Sequence, residues 1–230
     1  FHRDRALAAT NLSPLEREQR GDMLARSRRW DEARADYATL FPGSEAQSPR
    51  TCEAHAALLL HAGDEAGYRA LRSRVLRDRT RDGDAADPQP TLRLGGLLPT
   101  GPEDTARLLA LAKRYHAAHP GSPLPWECLA LAHYRAGDLT SARKELVRAG
   151  ELSGGHPSAT TQVVIALVAL RQGKPVEAAP LLAHVDAWLA DQQKWFLPTP
   201  RPPETWDWVT TLQVGFLRAE ALRANGPKRP

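Results

Sequence analysis

Three stretches of the chain superpose without gaps on their apolar and polar positions: Gly21–Leu40, Ala130–Ala149 and Ala166–Val185. Each opens on a small residue (Gly21, Ala130, Ala166) and passes through a polar turn. Twelve positions after the small residue comes an alanine, at Ala33, Ala142 and Ala178, and four residues later a larger apolar group, at Tyr37, Leu146 and Leu182. A spacing of four places both on one face of a helix. Two looser copies fall in phase. One carries Ala56, the turn Gly63-Asp64 and Tyr68; the other carries Ala106 and Ala110 behind a short, broken first helix around Thr91–Leu98. The markers at 33, 68, 106, 142 and 178 therefore recur every 35 to 38 residues, which predicts a stack of helical hairpins.

Helix boundaries follow from capping chemistry. Ser13-Pro14 with Glu16 puts an N-cap, a first-turn proline and a capping carboxylate in order, and Ser48-Pro49 repeats the opening. Pro180 falls inside the fifth unit's second helix and is expected to distort its first turns. Asn225-Gly226 is a helix stop. The predicted units span about 12–43, 48–81, 85–121, 122–155 and 156–192. Phe1–Thr10 reads as the tail of a preceding helix, so residues 1–192 form one helical array. Residues 193–204 form a proline-rich connection, 205–225 a helix covering the last open face, and 226–230 a tail.

This pattern resembles the tetratricopeptide repeat. The best unit reads Trp126, Leu129, Ala130, His133, Gly137, Ala142, Leu146 and Ala149 against the W-x2-L-G-x2-Y … A-x3-F signature, with alanine in place of glycine and histidine in place of tyrosine. The resemblance implies an all-α, right-handed superhelical solenoid of about five hairpins plus a C-terminal capping helix. The ending WDWVTTLQVGFLRAEAL after a proline-rich segment also looks like repeat regions of planctomycete-type bacterial multidomain proteins, where such regions follow a serine/threonine kinase domain or a β-propeller.

In tetratricopeptide arrays the first helices line a concave groove, and the resemblance turns particular positions into it. The thirteenth holds Arg26, His61, Arg135 and Arg171; the fifth holds Glu18, Glu53, Glu127 and Val163. Leu131, Tyr134, Leu167 and Leu170 make the later groove apolar. Arg26, His61, Arg135, Arg171, Glu127, Leu131, Tyr134 and Leu167 are thus the candidate peptide-binding residues. The basic and acidic ladders either hold a peptide or pair with each other between units. The lysine and asparagine clamp that chaperone-binding relatives use for an EEVD-type tail is absent.

Composition narrows the class. Of 230 residues 42% are hydrophobic and only 6% aromatic, and good helix formers dominate. The formal charge is +4 and the pI about 9.3, yet acids alternate with arginines throughout. The densest basic run, Arg69 to Arg81, reads as a solvated helix face rather than a phosphate track, so nucleic acid is not the expected partner. Cys52 and Cys128 read as free buried thiols of a reducing, cytoplasmic compartment. No run of 18 apolar residues spans a membrane.

Candidate chemistry is sparse. His116 and His119 lack a third ligand and suit the end of a helix; Cys52 and His55 share a face but fall at a packing position. There is no phosphate-binding glycine loop and no nucleophile elbow, so no catalytic, metal or cofactor residue is assigned. Trp30 and Trp126 read as core. Trp188, Trp195, Trp206 and Trp208 either bind the proline-rich connection to the last helix or line an aromatic groove. The expectation is a non-catalytic module, an excised piece of a longer protein, that binds a protein or peptide in its groove. The alternative is a regulatory or structural arm of a larger multidomain enzyme, such as a kinase, contacting another domain of the same chain.

Overall fold

The computed structural model describes residues 12–41, 48–80, 87–196 and 207–225. The expected helix tail at Phe1–Thr10, most of the proline-rich connection, Trp206 and the tail 226–230 lie outside the described residues. Every regular element among the described residues is helical. The helices are α1 (Pro14–Arg26), α2 (Trp30–Ala38), α3 (Pro49–His61), α4 (Glu65–Arg79), α5 (Gln89–Gly95) and α6 (Pro102–Ala118). They continue with α7 (Pro123–Ala136), α8 (Leu139–Leu152), α9 (Ala159–Arg171), α10 (Pro175–Gln193), a 3₁₀ turn at Lys194–Phe196, and α11 (Trp208–Asn225).

The caps act as the sequence predicts. Ser13 Oγ accepts from the Glu16 amide, while Glu16 Oε2 accepts from the Ser13 amide at 2.9 Å, closing a capping box. Ser48 Oγ accepts from the Thr51 amide at 3.0 Å. Helix α10 runs unbroken through Pro180, contrary to the expected distortion of its first turns. Pro180 is the sixth residue of the helix, so it removes the amide hydrogen bond to the Val176 carbonyl without ending the helix.

Consecutive helices pair as antiparallel hairpins, and α3, α5, α7 and α9 lie side by side as an inner layer. Small residues let the helices close. Ala33, Ala142 and Ala178 are fully buried, and a Cβ on Gly21 would sit 2.8 Å from the Tyr37 ring. The third hairpin breaks the phase: Ala106 and Ala110 are exposed, while Asp104, Leu108 and Ala112 are buried. Its register is set by Asp104, which accepts from buried Arg72 at 3.3 Å and from the Ser73 hydroxyl at 2.6 Å. The first helix of that hairpin, α5, has only seven residues to impose another.

Helix α11 does more than cover the last hairpin. It packs on α9 and α10 and also on α3, and its buried residues are shared between two distant cores. Val214, Leu217 and Ala221 join Val163, Leu167 and Val185, whereas Trp208 and Val209 join Leu24, Ala25, Ala54 and Leu58. No residue from Asp207 to Ala221 is exposed. A helix whose apolar residues surround it instead of forming one stripe is enclosed rather than laid on a surface. The enclosure is closed where the end of α10 meets the first hairpin: Phe196 packs edge-on against Trp30 at 5.4 Å, and Arg28 donates to Gln193 Oε1 at 2.6 Å.

Candidate binding groove

The first helices of four successive hairpins each turn polar groups toward α11 or the residue before it. On α1, Asp22 Oδ1 accepts from Trp208 Nε1 at 2.9 Å and from the Tyr37 hydroxyl at 2.8 Å. On α3, Arg50 grips Asp207 with two hydrogen bonds of 2.6 and 3.2 Å. One turn on, buried Glu53 accepts from Gln213 Nε2 at 2.9 Å. On α5, Arg93 donates to Gln213 Oε1 at 3.1 Å, to Thr210 Oγ1, and lies 3.2 Å from Glu53. On α7, Arg135 donates to both oxygens of Glu220 at 2.8 and 2.7 Å, and the Tyr134 hydroxyl donates to the same carboxylate at 2.8 Å. At the last hairpin, Arg218 of α11 donates to both oxygens of Asp186 at 2.6 and 2.9 Å.

This electrostatic ladder holds Glu220 of α11 and Asp207, the residue before it, as anions. Burial alone pushes Asp207 and Glu220 upward. The hydrogen bonds and charge of Arg50 on Asp207, and of Arg135 on Glu220, outweigh it and hold both below the usual carboxylate range. Arg135 is as deeply buried as Glu53, the side chain of each 1% exposed. The remaining donors of Arg135 go to the carbonyls of Gly96 at 2.7 Å and Leu97 at 3.0 Å, the close approach being open because residue 96 has no Cβ to meet Leu131.

The sequence-derived peptide site is therefore filled from within. Leu131, Tyr134 and Leu167 are buried in the chain's own core, and the Arg135 side chain, itself buried, is paired with Glu220. Arg171 is exposed, its guanidinium stacked 4.7 Å from the Tyr134 ring. His61 tilts against Trp30 at 4.6 Å, and Arg26 sits exposed in the last turn of α1, so these two are not brought together with Arg135. Of the acidic ladder, Glu53 lies 3.2 Å from Arg93 of the next hairpin, while Glu18 and Glu127 bond to hydroxyls. Glu18 accepts from the Thr51 hydroxyl at 2.7 Å, and Glu127 accepts from Thr161 and, at 3.1 Å, from Ser158. Each of these two acids ties its hairpin to the first turn of a neighbouring hairpin's inner helix. Beside α11 a cavity of about 200 Å³ remains, lined by Leu124, Glu127, Cys128, Val164 and Thr210 among others. That is room for a side chain, not a peptide.

No family model matches the chain, and no curated protein matches it. Two solved structures are similar to it. One is a point mutant of MamA, at 15% identity and a TM-score of 0.43, with 76% of this chain and 96% of that one covered. The other is MamA MSR-1 C2, at 16% identity and a TM-score of 0.43, with 79% and 98% covered. The architecture rests on the helix contacts above rather than on these likenesses.

The other candidate groups are placed as follows. His116 lies edge-on to Trp126 at 4.1 Å, and His119 is the C-cap of α6. Among the described residues no three His, Cys, Asp or Glu side chains gather as a metal site would require, and no helix is long and apolar enough to cross a membrane. His55 stacks on Phe41 at 4.7 Å, and its Nδ1 makes no hydrogen bond, so Cys52 has no base through that atom. Burial raises the Cys52 thiol to about 11 and pushes Cys128 further up. Both thiols are thus expected to be inert to Ellman's reagent at pH 8 while the chain is folded, and to react fully in denaturant. Rapid native labelling of Cys52 would reopen the dyad.

Proposed function

We propose that the chain is a non-catalytic protein-interaction scaffold whose inner face holds a helical protein segment, with α11 as the segment it holds in cis. The observation that carries this reading is the row Asp22, Arg50, Glu53, Arg93 and Arg135. These polar groups, from the first helices of four hairpins, all bond to one helix or to the residue that opens it. A core that only had to be stable would be at least as well served by apolar residues there. A charged row of this kind selects register and partner. The recognised segment is a helix with an indole and a carboxylate at its start and a second carboxylate thirteen residues after the first, as in Asp207-Trp208 and Glu220.

The test supplies the helix in trans. In a Trp208→Ala chain the tethered helix has lost its anchor. Adding the 207–225 peptide should raise that chain's unfolding midpoint in a dose-dependent way, by mass action on the folded state. The same peptide lacking the indole should not. A midpoint indifferent to the intact peptide sinks the reading. The cis occupancy also favours a regulatory or structural arm of a larger protein, which comparison of the parent protein with and without this region would test.

A further inference from the structure

We propose that two copies of this chain assemble by exchanging α11, the C-terminal helix of each lying in the groove of the other. This rests on the reading above, that the groove accepts α11 as a ligand. Outside the fifth hairpin, the partners of α11 lie far behind it in sequence: Asp22, Arg50, Glu53, Arg93 and Arg135. Only residues 197–206 join the helix to the body, and they include Pro198, Pro200, Pro202 and Pro203. The segment leaves and rejoins the body at one place, because the Phe196 and Trp208 rings both lie against Trp30, at 5.4 and 6.2 Å. Ten residues can span at most ~33 Å. The connection is therefore longer than the return to its own groove requires. That surplus length is what an exchange between two copies related by a two-fold axis would use.

The exchanged helix would meet the same charges in the same order, so the two forms differ only in the connection and in concentration. A short connection gives a tethered helix an effective concentration on the order of 1 mM, so the closed monomer dominates at micromolar protein and the exchanged dimer gains when chains fold at millimolar concentration. Because Arg28–Gln193 and Trp30–Phe196 close the ring around α11, the choice is made as the chain folds.

Charge reversal across the deepest pair tests this on the full chain. An Arg135→Glu chain and a Glu220→Arg chain each set like charges across their own groove. Exchange places opposite charges in both grooves at once. Refolded together, the two variants should give a heterodimer at least tenfold more abundant than the dimer from either variant alone, read by light scattering after size exclusion. The variant carrying both changes in one chain should return to monomer. The natural chain supplies an independent arm: its dimer fraction should rise about tenfold between refolding at ~10 µM and at ~1 mM. If the mixed variants elute as they do separately and the natural chain's dimer fraction stays flat, exchange is overturned. Peptide rescue of the Trp208→Ala chain alongside that outcome would leave the groove reading standing; failure of the rescue would remove both.

Discussion

Trp208→Ala should lower the stability of the chain by about 3–5 kcal/mol, the usual cost of emptying a buried large aromatic site. For a protein of this size that corresponds to a fall in unfolding midpoint of about 10 °C. The indole is 1% exposed and lies 6.2 Å from Trp30 and 6.4 Å from Tyr37, so two aromatic side chains lose a neighbour together. Its Nε1 is also one of two side-chain donors to Asp22 among the described residues; without it, the Tyr37 hydroxyl remains. Trp208→Phe separates the two losses, since it refills most of the volume and removes only the hydrogen bond, at a cost of about 1–3 kcal/mol. The measurement is decisive for where α11 lies. A helix resting only on the fifth hairpin would leave Trp208 half in solvent and make both changes nearly silent. A calorimetric midpoint within about 2 °C of the parent's for Trp208→Ala would contradict the buried position.

That position is the part of the fold hardest to read from the residues alone. The hairpins are legible because their closure depends on local chemistry: Ala33, Ala142 and Ala178 are small where helices meet, and Ser13 and Ser48 carry their helix starts in adjacent residues. Periodicity reports which residues are buried, not what buries them. Resemblance to tetratricopeptide arrays puts the groove residues on the inner face but says nothing of an occupant. One signal does point to it. Trp208, Val209, Leu212, Val214, Phe216 and Leu217 surround their helix instead of forming a stripe, a pattern that fits enclosure and not the covering of one face. The acidic ladder escapes the pattern for a related reason. Thr51 and Thr161 are third residues of their helices, and capping rules account for their amides but do not say where their hydroxyls turn. The third hairpin departs from the alanine phase because a long-range pair, Arg72 with Asp104, sets its register, and alanine spacing carries no trace of that pair.

Glu220→Gln should cost about 3–5 kcal/mol at neutral pH, the range for removing one partner of a buried ion pair, because the Arg135 guanidinium stays inside. The Arg135 side chain is 1% exposed, and without the carboxylate only the Gly96 and Leu97 carbonyls and a weak amide dipole remain to compensate it. The loss should depend on pH with a definite sign. The folded state holds Glu220 below its ordinary value, and unfolding restores a carboxylate of pKa about 4.3. Its contribution is then complete above that unfolded value and disappears as pH falls through the lower folded one. The parent chain should lose stability steeply below about pH 5, whereas the variant, having nothing to lose at this position, should lose less over the same interval. Asp207 is held down by Arg50 in the same way and persists in the variant, so its curve flattens without becoming level. Urea midpoints taken at pH 7 and pH 3 should therefore converge on acidification. A constant offset between the two proteins at both pH values would show that position 220 acts through packing alone, and would remove the charged anchor from this end of the groove.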